Sequence, residues 1–374
     1  MDKNTYRHAA YQMIRLVRCA LTDKIPDREW AKSLDLSVLF AVCEDHILTA
    51  CAAYALESAG IHDPDFTEAK AKVIRKNILL DAERKGILAR LEQSKIWYMP
   101  LKGALLKDWY PKLGMRQMSD NDILYDVRYR ERVRDIMLER GFVCKHFGKG
   151  ADDAYLKEPV YNFEMHHHLF IEASADGFHS YYENVKDRLL KDEDNAFGYH
   201  FRPEDFYLYM IAHEYKHFAN GGTGVRSLAD IYVFIRKFVD VLDWDYLHSE
   251  LEKMKLTDYE QQNRELAMKL FSCARLSEEE KRRLDYYILS GTYGNLKNHV
   301  ENRVQGMGKG SKAKYILQRF FPSAAQLKSI WPFFYRHKWL LPILWIYRPI
   351  HGLLFNRKKL INELRYLWRT NSED

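Results

Sequence analysis

The chain has few cysteines: Cys19, Cys43, Cys51, Cys144 and Cys273 are odd in number, widely spaced and free of any CxxC pair. That argues against a disulfide framework or a zinc ribbon and suits reduced thiols in a cytosol. No stretch reaches the ~18 uncharged apolar residues of a spanning helix. The nearest, Trp339 to Tyr347, is closed off by Lys338 and Arg348. At the N-terminus Arg7, Arg15 and Arg18 interrupt the apolar positions, so there is no signal-peptide core. One-signed charge is scarce too. The formal net charge is +6, from 58 basic and 52 acidic residues, too dilute for stable nucleic-acid binding. Internal repeats and low-complexity tracts are absent. What is plentiful is apolar and aromatic: 47% of residues are hydrophobic and 14% aromatic, which predicts large buried rings and argues against disorder. At about 150 residues per domain, two or three packed units are expected.

Residues 1 to about 93 read as helices, from runs such as Tyr11-Met13-Ile14-Val17, with Asp27 ahead of Trp30 marking one start. The pattern changes at Ile96 to Leu101, a short strand-type run ended by Lys102-Gly103. A helix over Ala104 to Tyr110, a strand over Asp120 to Tyr125, a helix over Arg128 to Arg140, and strands over Phe142 to Phe147 and Tyr161 to Ile171 follow. This makes a compact α/β unit of strands and helices over 94–180, in an α+β protein overall. A helical region over 181–315 opens with Pro203 as the first residue of a helix. Gly221 to Gly224 reads as a helix-terminating turn, Gly306 to Lys312 as a flexible basic linker, and 316–374 as an aromatic and basic helical tail.

The chemistry concentrates at Asp120-Asn121-Asp122. On a strand, alternation puts Asp120 and Asp122 on one face. Two close carboxylates repel unless a cation joins them, and Mg²⁺ (or Mn²⁺) is typically held by one or two carboxylates together with substrate phosphates. Glu164 is available as a third carboxylate and proton acceptor, and on that strand His166 and His168 share its face. Lys102 and Gly103 stand where a strand becomes a helix, a place where backbone and phosphate can approach closely. Lys102 and, from the following loop, Arg116 would add charge for a triphosphate.

The runs Met99-Pro-Leu-Lys-Gly-Ala-Leu-Leu and Arg116-Gln-Met-Ser-Asp-Asn-Asp-Ile-Leu resemble the hallmark of the bacterial uncharacterised nucleotidyltransferases, a polymerase-beta-like family in which LKG replaces the usual Gly-Ser. Glu164-Met165-His166 is similar to that family's acidic-x-His strand. His213 to His217, followed by Gly224-Val225-Arg226-Ser227-Leu228-Ala229-Asp230, resembles its helical segment. The resemblance implies a palm-type sheet flanked by helical regions and transfer of a nucleotide from a nucleoside triphosphate to an unidentified acceptor, small or macromolecular. Asp120, Asp122 and Glu164 would hold the metal. Ser119, His166, His213, His217 and Arg226 join Lys102, Gly103 and Arg116 on the substrate side.

His213-Glu214-Tyr215-Lys216-His217 also spells HExxH, the zinc pair and general base of many metalloproteases, with Asp230 on offer as a third ligand. That reading leaves the upstream motifs unexplained and ranks second. A binding or regulatory module with a silent transferase site is a further alternative. The plainer expectation for this helix is that His213 and His217 line the cleft or pack against the sheet while Arg226 and Asp230 pair with each other. For the tail, the expectation is a helical pair packed on the core, broken by Pro332 and Pro342. Peripheral membrane contact is the alternative.

Overall fold

The computed structural model describes residues 1–148, 150–171, 177–305 and 311–369, apart from 323, 325, 326, 329, 330 and 356. Most of the basic linker expected at 306–312 lies outside the described residues.

Four helices open the fold: α1 (Lys3–Leu21), α2 (Arg28–Lys32), α3 (Leu36–Asp45) and α4 (Thr49–Ser58). Asp2 and Asp27 start the first two, Asp2 accepting from the backbone N–H groups of Asn4 and Thr5 and Asp27 from that of Trp30, so the expected start at Asp27 is observed. The 30-residue α5 (Pro64–Gln93) follows, with Asp63 as its cap and Pro64 in its first turn.

The sheet comes next. Its elements are β1 (Tyr98–Pro100), α6 (Lys102–Leu106), β2 (Asn121–Tyr125), α7 (Arg130–Glu139), β3 (Val143–His146), β4 (Asp152–Lys157) and β5 (Tyr161–His166). The strand order is β1-β2-β5-β4-β3, with β2 and β5 parallel and the other neighbours antiparallel. Several details depart from expectation: β2 begins at Asn121, leaving Asp120 outside it, and β5 ends at His166, five residues before Ile171. The helix over Ala104 to Tyr110 instead starts at Lys102 and tightens into a 3₁₀ turn over Lys107–Trp109. The strand β4 had no forecast; its Asp153 is buried, clasped by Arg130 at 2.7 and 2.5 Å.

After a short α8 (Phe178–Tyr181) and the hairpin β6 (Leu189–Lys191) and β7 (Tyr199–Phe201), the chain is helical through α9 (Pro203–Ala219), α10 (Val225–Phe238), α11 (Trp244–Met254), α12 (Thr257–Ser272), α13 (Glu278–Ser290), α14 (Leu296–Gln305) and α15 (Ser311–Phe320). The first and last helical regions share one core. Met13 and Val17 of α1 pack in the same cluster as Leu266 and Phe271 of α12, and Arg18 Nε donates to the Leu270 carbonyl at 2.9 Å.

A second core lies under one face of the sheet. Ile123, Tyr125, Phe163 and Met165 pack there with Leu80, Ile87 and Leu91 of α5 and Val133, Ile136 and Met137 of α7. By the two-residue alternation of strands, Asp122, Leu124, Glu164 and His166 point the other way.

Pro332 and Pro342 do not break helices in the tail. They sit in the first turns of the helices Pro332–Arg336 and Leu341–Phe355, where a missing N–H costs nothing. Among the described residues, no helix is long and apolar enough to cross a membrane.

Candidate functional site

The parallel register of β2 and β5 sets Asp122 opposite Glu164 and Leu124 opposite His166. Asp122 on β2 thus meets Glu164 and His166 on β5 across the intervening α7, β3 and β4, with the three ligand atoms all within 4.8 Å of one another. His166 Nε2 lies 3.5 Å from Asp122 Oδ1 and 3.8 Å from Glu164 Oε2. The other ring nitrogen, Nδ1, is 3.4 Å from the His168 carbonyl. His168 does not share this face: β5 ends at His166, and the His168 ring lies against His179 instead, 5.6 Å away between centroids.

Asp120 sits just before β2 and stays outside the three-residue grouping, although it is close enough for its charge to act on Asp122 and Glu164. Burial, and then the Asp122 charge, push the Asp120 carboxyl above its ordinary range. Burial also opposes ionisation of Asp122, but the close His166 imidazole, followed by Lys102, holds its pKa below the usual value. Glu164 is pushed up to about 7 by burial and then by Asp122 and Asp120. For His166, burial works downward, but Asp122 prevails and keeps the imidazole above its ordinary value.

Asp122 Oδ1 is buried and receives no hydrogen bond. A buried carboxylate oxygen left bare costs ~1–3 kcal/mol or more. Two carboxylates and an imidazole converging around it form a donor set that suits a divalent cation. The residues present fit such an ion.

Cations crowd the opposite side. Lys102 opens α6, and its Nζ lies 2.5 Å from His213 Nδ1 on α9. Burial lowers its pKa to about 8 against the pull of Asp122. Because α6 has only five residues, its dipole adds little, and Lys102 itself is the main charge here. Gly103 keeps the loop before β2 close: a Cβ there would stand 3.0 Å from Met118 Cε and 3.3 Å from Arg116 Nη1.

Arg116 is already engaged. Its Nε and Nη2 donate to the two carboxylate oxygens of Asp230 at 2.8 and 3.0 Å, and Tyr110 donates to the same carboxylate at 2.7 Å. The helix-borne pair expected between Arg226 and Asp230 therefore does not form among the described residues, because the planar fork of Arg116 saturates Asp230 first. Arg226 is left with a long 3.4 Å contact to the Gln117 carbonyl. Burial and then Arg116 lower its pKa.

His213 and His217 line this side with ring centroids 4.6 Å apart. Burial and then Lys102 push His213 well below its usual value and His217 down to about 3, so both are neutral imidazoles. Glu214 does not accompany them. It accepts from the Tyr287 hydroxyl at 3.0 Å in a buried pocket, and burial raises its pKa to about 7. The Ser119 carbonyl accepts from Lys76 Nζ at 2.9 Å.

Two neighbours of the site had no forecast. Lys76 reaches it from the middle of α5, where the sequence shows only one lysine among many. Tyr209 is buried, and after burial the charges of Asp122 and Glu164 raise its hydroxyl pKa. Its only sequence signal is its place on α9, one turn before His213.

Residues 32–272 match the model of a family described as uncharacterised nucleotidyltransferase. Comparison with curated proteins and with solved structures gives no match.

Proposed function

The chain belongs to the uncharacterised nucleotidyltransferase family, and on that premise we propose that it moves a nucleoside monophosphate from a nucleoside triphosphate to a hydroxyl-bearing acceptor, small or macromolecular. The observation that carries this reading is the triad of Asp122, Glu164 and His166 around an unsatisfied buried carboxylate oxygen, facing a cluster of cations.

In this reading Asp122 and Glu164, with Asp120 flanking them and His166 within ligand reach, would hold Mg²⁺ or Mn²⁺. Such an ion, when bound, neutralises phosphate charge and polarises the reacting phosphoryl group. The acceptor oxygen attacks the α-phosphorus, the bond to the β-phosphate oxygen breaks, and pyrophosphate leaves. Glu164 either completes this ligand set or, left off the ion, takes the acceptor proton. Lys102 and Arg226 are the cations least committed elsewhere and face the phosphates. His213 and His217 offer neutral N–H donors beside Lys102, and Gly103 and Ser119 let the backbone come close. Arg116 acts one step back, locking the loop that carries Asp120 onto α10 through Asp230.

The zinc-hydrolase alternative finds little support. The nearest charged group to His213 is an ammonium, Glu214 faces a tyrosine, and Asp230 is taken by Arg116 and Tyr110.

Calorimetry with each of the four nucleoside triphosphates, in Mg²⁺ or Mn²⁺, tests the proposal. Metal-dependent binding of at least one of them, lost in an Asp120→Asn, Asp122→Asn double variant, is the expected result. Absence of any nucleotide binding, together with stoichiometric zinc that His213→Ala removes, would overturn it. Binding without turnover would favour the silent regulatory module.

A further inference from the structure

The net charge of the chain is small only when averaged. Residues 311–374 hold 12 Lys and Arg against 3 Asp and Glu, whereas residues 1–310 hold 46 against 49. All the excess positive charge belongs to the C-terminal helices, and so does a run of exposed apolar side chains.

The helix Leu341–Phe355 turns Leu344 inward, while the Trp345 ring packs 4.9 Å from Phe321 between centroids. Ile343, Ile346, Ile350 and Leu354 point outward, with Ile346 65% and Leu354 71% exposed. At ~100° per residue these four fall within an arc of about 80°, a single stripe. Exposed basic residues bracket the stripe at both ends, Arg336 and Lys338 before it and Arg357 and Lys358 after it. The next helix, Arg357–Arg369, buries Glu363 against Tyr315 and Arg319 at one side and leaves Trp368 76% exposed at the other.

We propose that this face docks the protein onto the surface of an anionic lipid bilayer. A lipid interface satisfies both features together: the apolar stripe sinks to the acyl boundary, and the flanking cations meet anionic headgroups. A nucleic acid would satisfy the charge and leave four aliphatic side chains facing phosphate. A second copy would bring two strongly basic faces together, which repel. The helix has 15 residues, about 22 Å at 1.5 Å each, so it lies on the membrane and cannot cross a ~30 Å core.

The test is sedimentation of the full chain with phosphatidylcholine vesicles containing about one third phosphatidylserine, against phosphatidylcholine alone. The expected result is co-sedimentation with the anionic vesicles, reduced about tenfold or more on neutral vesicles and in an Ile346→Asp, Ile350→Asp variant that melts like the parent. Equal partition to both vesicles, or anionic binding that ignores the isoleucine variant, overturns the proposal. A concentration-dependent dimer that the variant disperses would assign the face to a second copy. Single-stranded RNA binding abolished by the same variant would assign it to nucleic acid; either result also overturns the lipid assignment.

Discussion

Two stretches of this chain are spelled as metal sites, the carboxylates and histidine of β2 and β5 and the HExxH of α9, and Lys102 stands between them. On the sheet, strand register gathers two carboxylates and an imidazole and leaves a buried oxygen without a donor. On the helix, the two imidazoles are adjacent, but a lysine ammonium touches one and the glutamate of the motif is turned into a tyrosine pocket. A cation introduced at the first site relieves carboxylate repulsion; at the second it meets Lys102. Ligand spacing is equal on paper, and the surrounding charge separates the two.

The widest separation is expected in metal affinity itself. Asp122→Asn should weaken Mn²⁺ binding on the order of 100-fold or more, while His213→Ala with His217→Ala leaves it within a factor of about three. Electron paramagnetic resonance of free Mn²⁺ reads this directly, and the opposite ranking would transfer the metal to α9. The next largest effect separates two arginines. Arg116→Ala strands the buried Asp230 carboxylate and should cost about 3–5 kcal/mol in urea unfolding, with Arg116→Lys recovering little because the bidentate fork is lost. Arg226→Ala, lacking such a partner, should leave unfolding within about 1 kcal/mol of the parent and weaken triphosphate binding about tenfold. Equal stability losses in the two variants would mean that Arg226 is as structural as Arg116.

The carboxylate side of this contrast was legible only in part: two-residue alternation, a local property, put Glu164 and His166 on one face, whereas Asp120 lies just before β2 and His168 just beyond β5, outside the strands that the alternation assumed. The parallel pairing that brings Asp122 to Glu164 and His166 was not legible, since it depends on where a crossover through α7, β3 and β4 returns the chain. The helical flanks and the family motif were also readable, from apolar periodicity and from residues 99 to 124. Contacts decided by distant partners escaped. Asp230 chose Arg116 over the arginine one turn away on its own helix, and Asp153 became a core residue by pairing with Arg130. Lys76 joined the site from a helix whose surface already carries many lysines. The prolines of the tail misled for a different reason: the same residue that breaks a helix in its middle starts one in its first turn.

Glu214 gives a test that depends on pH. In the folded chain its pKa is raised from 4.5 to about 7 by burial, so between those values the folded state holds a proton that the unfolded state has released. Stability should therefore fall as pH rises through this window and level off above it, by up to about 3 kcal/mol. Glu214→Gln should remove this residue's share of the slope and leave that of Glu164, matching the parent near pH 4 and exceeding it at pH 8, with nucleotide binding retained. A zinc-site general base would behave otherwise, since its glutamine variant would lose activity and show no gain in stability. Thermal unfolding followed across pH distinguishes the two.

The finest contrast rests on Gly103, at the seam between the two sides. An alanine there gains ~1 kcal/mol of helix propensity and brings a Cβ to 3.0 Å from the flexible end of Met118, so the net change in stability should stay within about 1 kcal/mol. Manganese binding at the sheet should not change, because no ligand moves. Triphosphate affinity should fall about fivefold, because a Cβ pressing on Met118 and Arg116 shifts the turn that presents Lys102 and its own backbone to a phosphate. If affinity holds while stability drops, the glycine serves only to seat Met118 and Arg116, and the phosphate contact must come from Lys102 and Arg226 alone. If affinity falls with stability and manganese binding unchanged, the glycine of the LKG turn belongs to the substrate side of the cleft, and the cation cluster has a backbone component that charge alone does not supply.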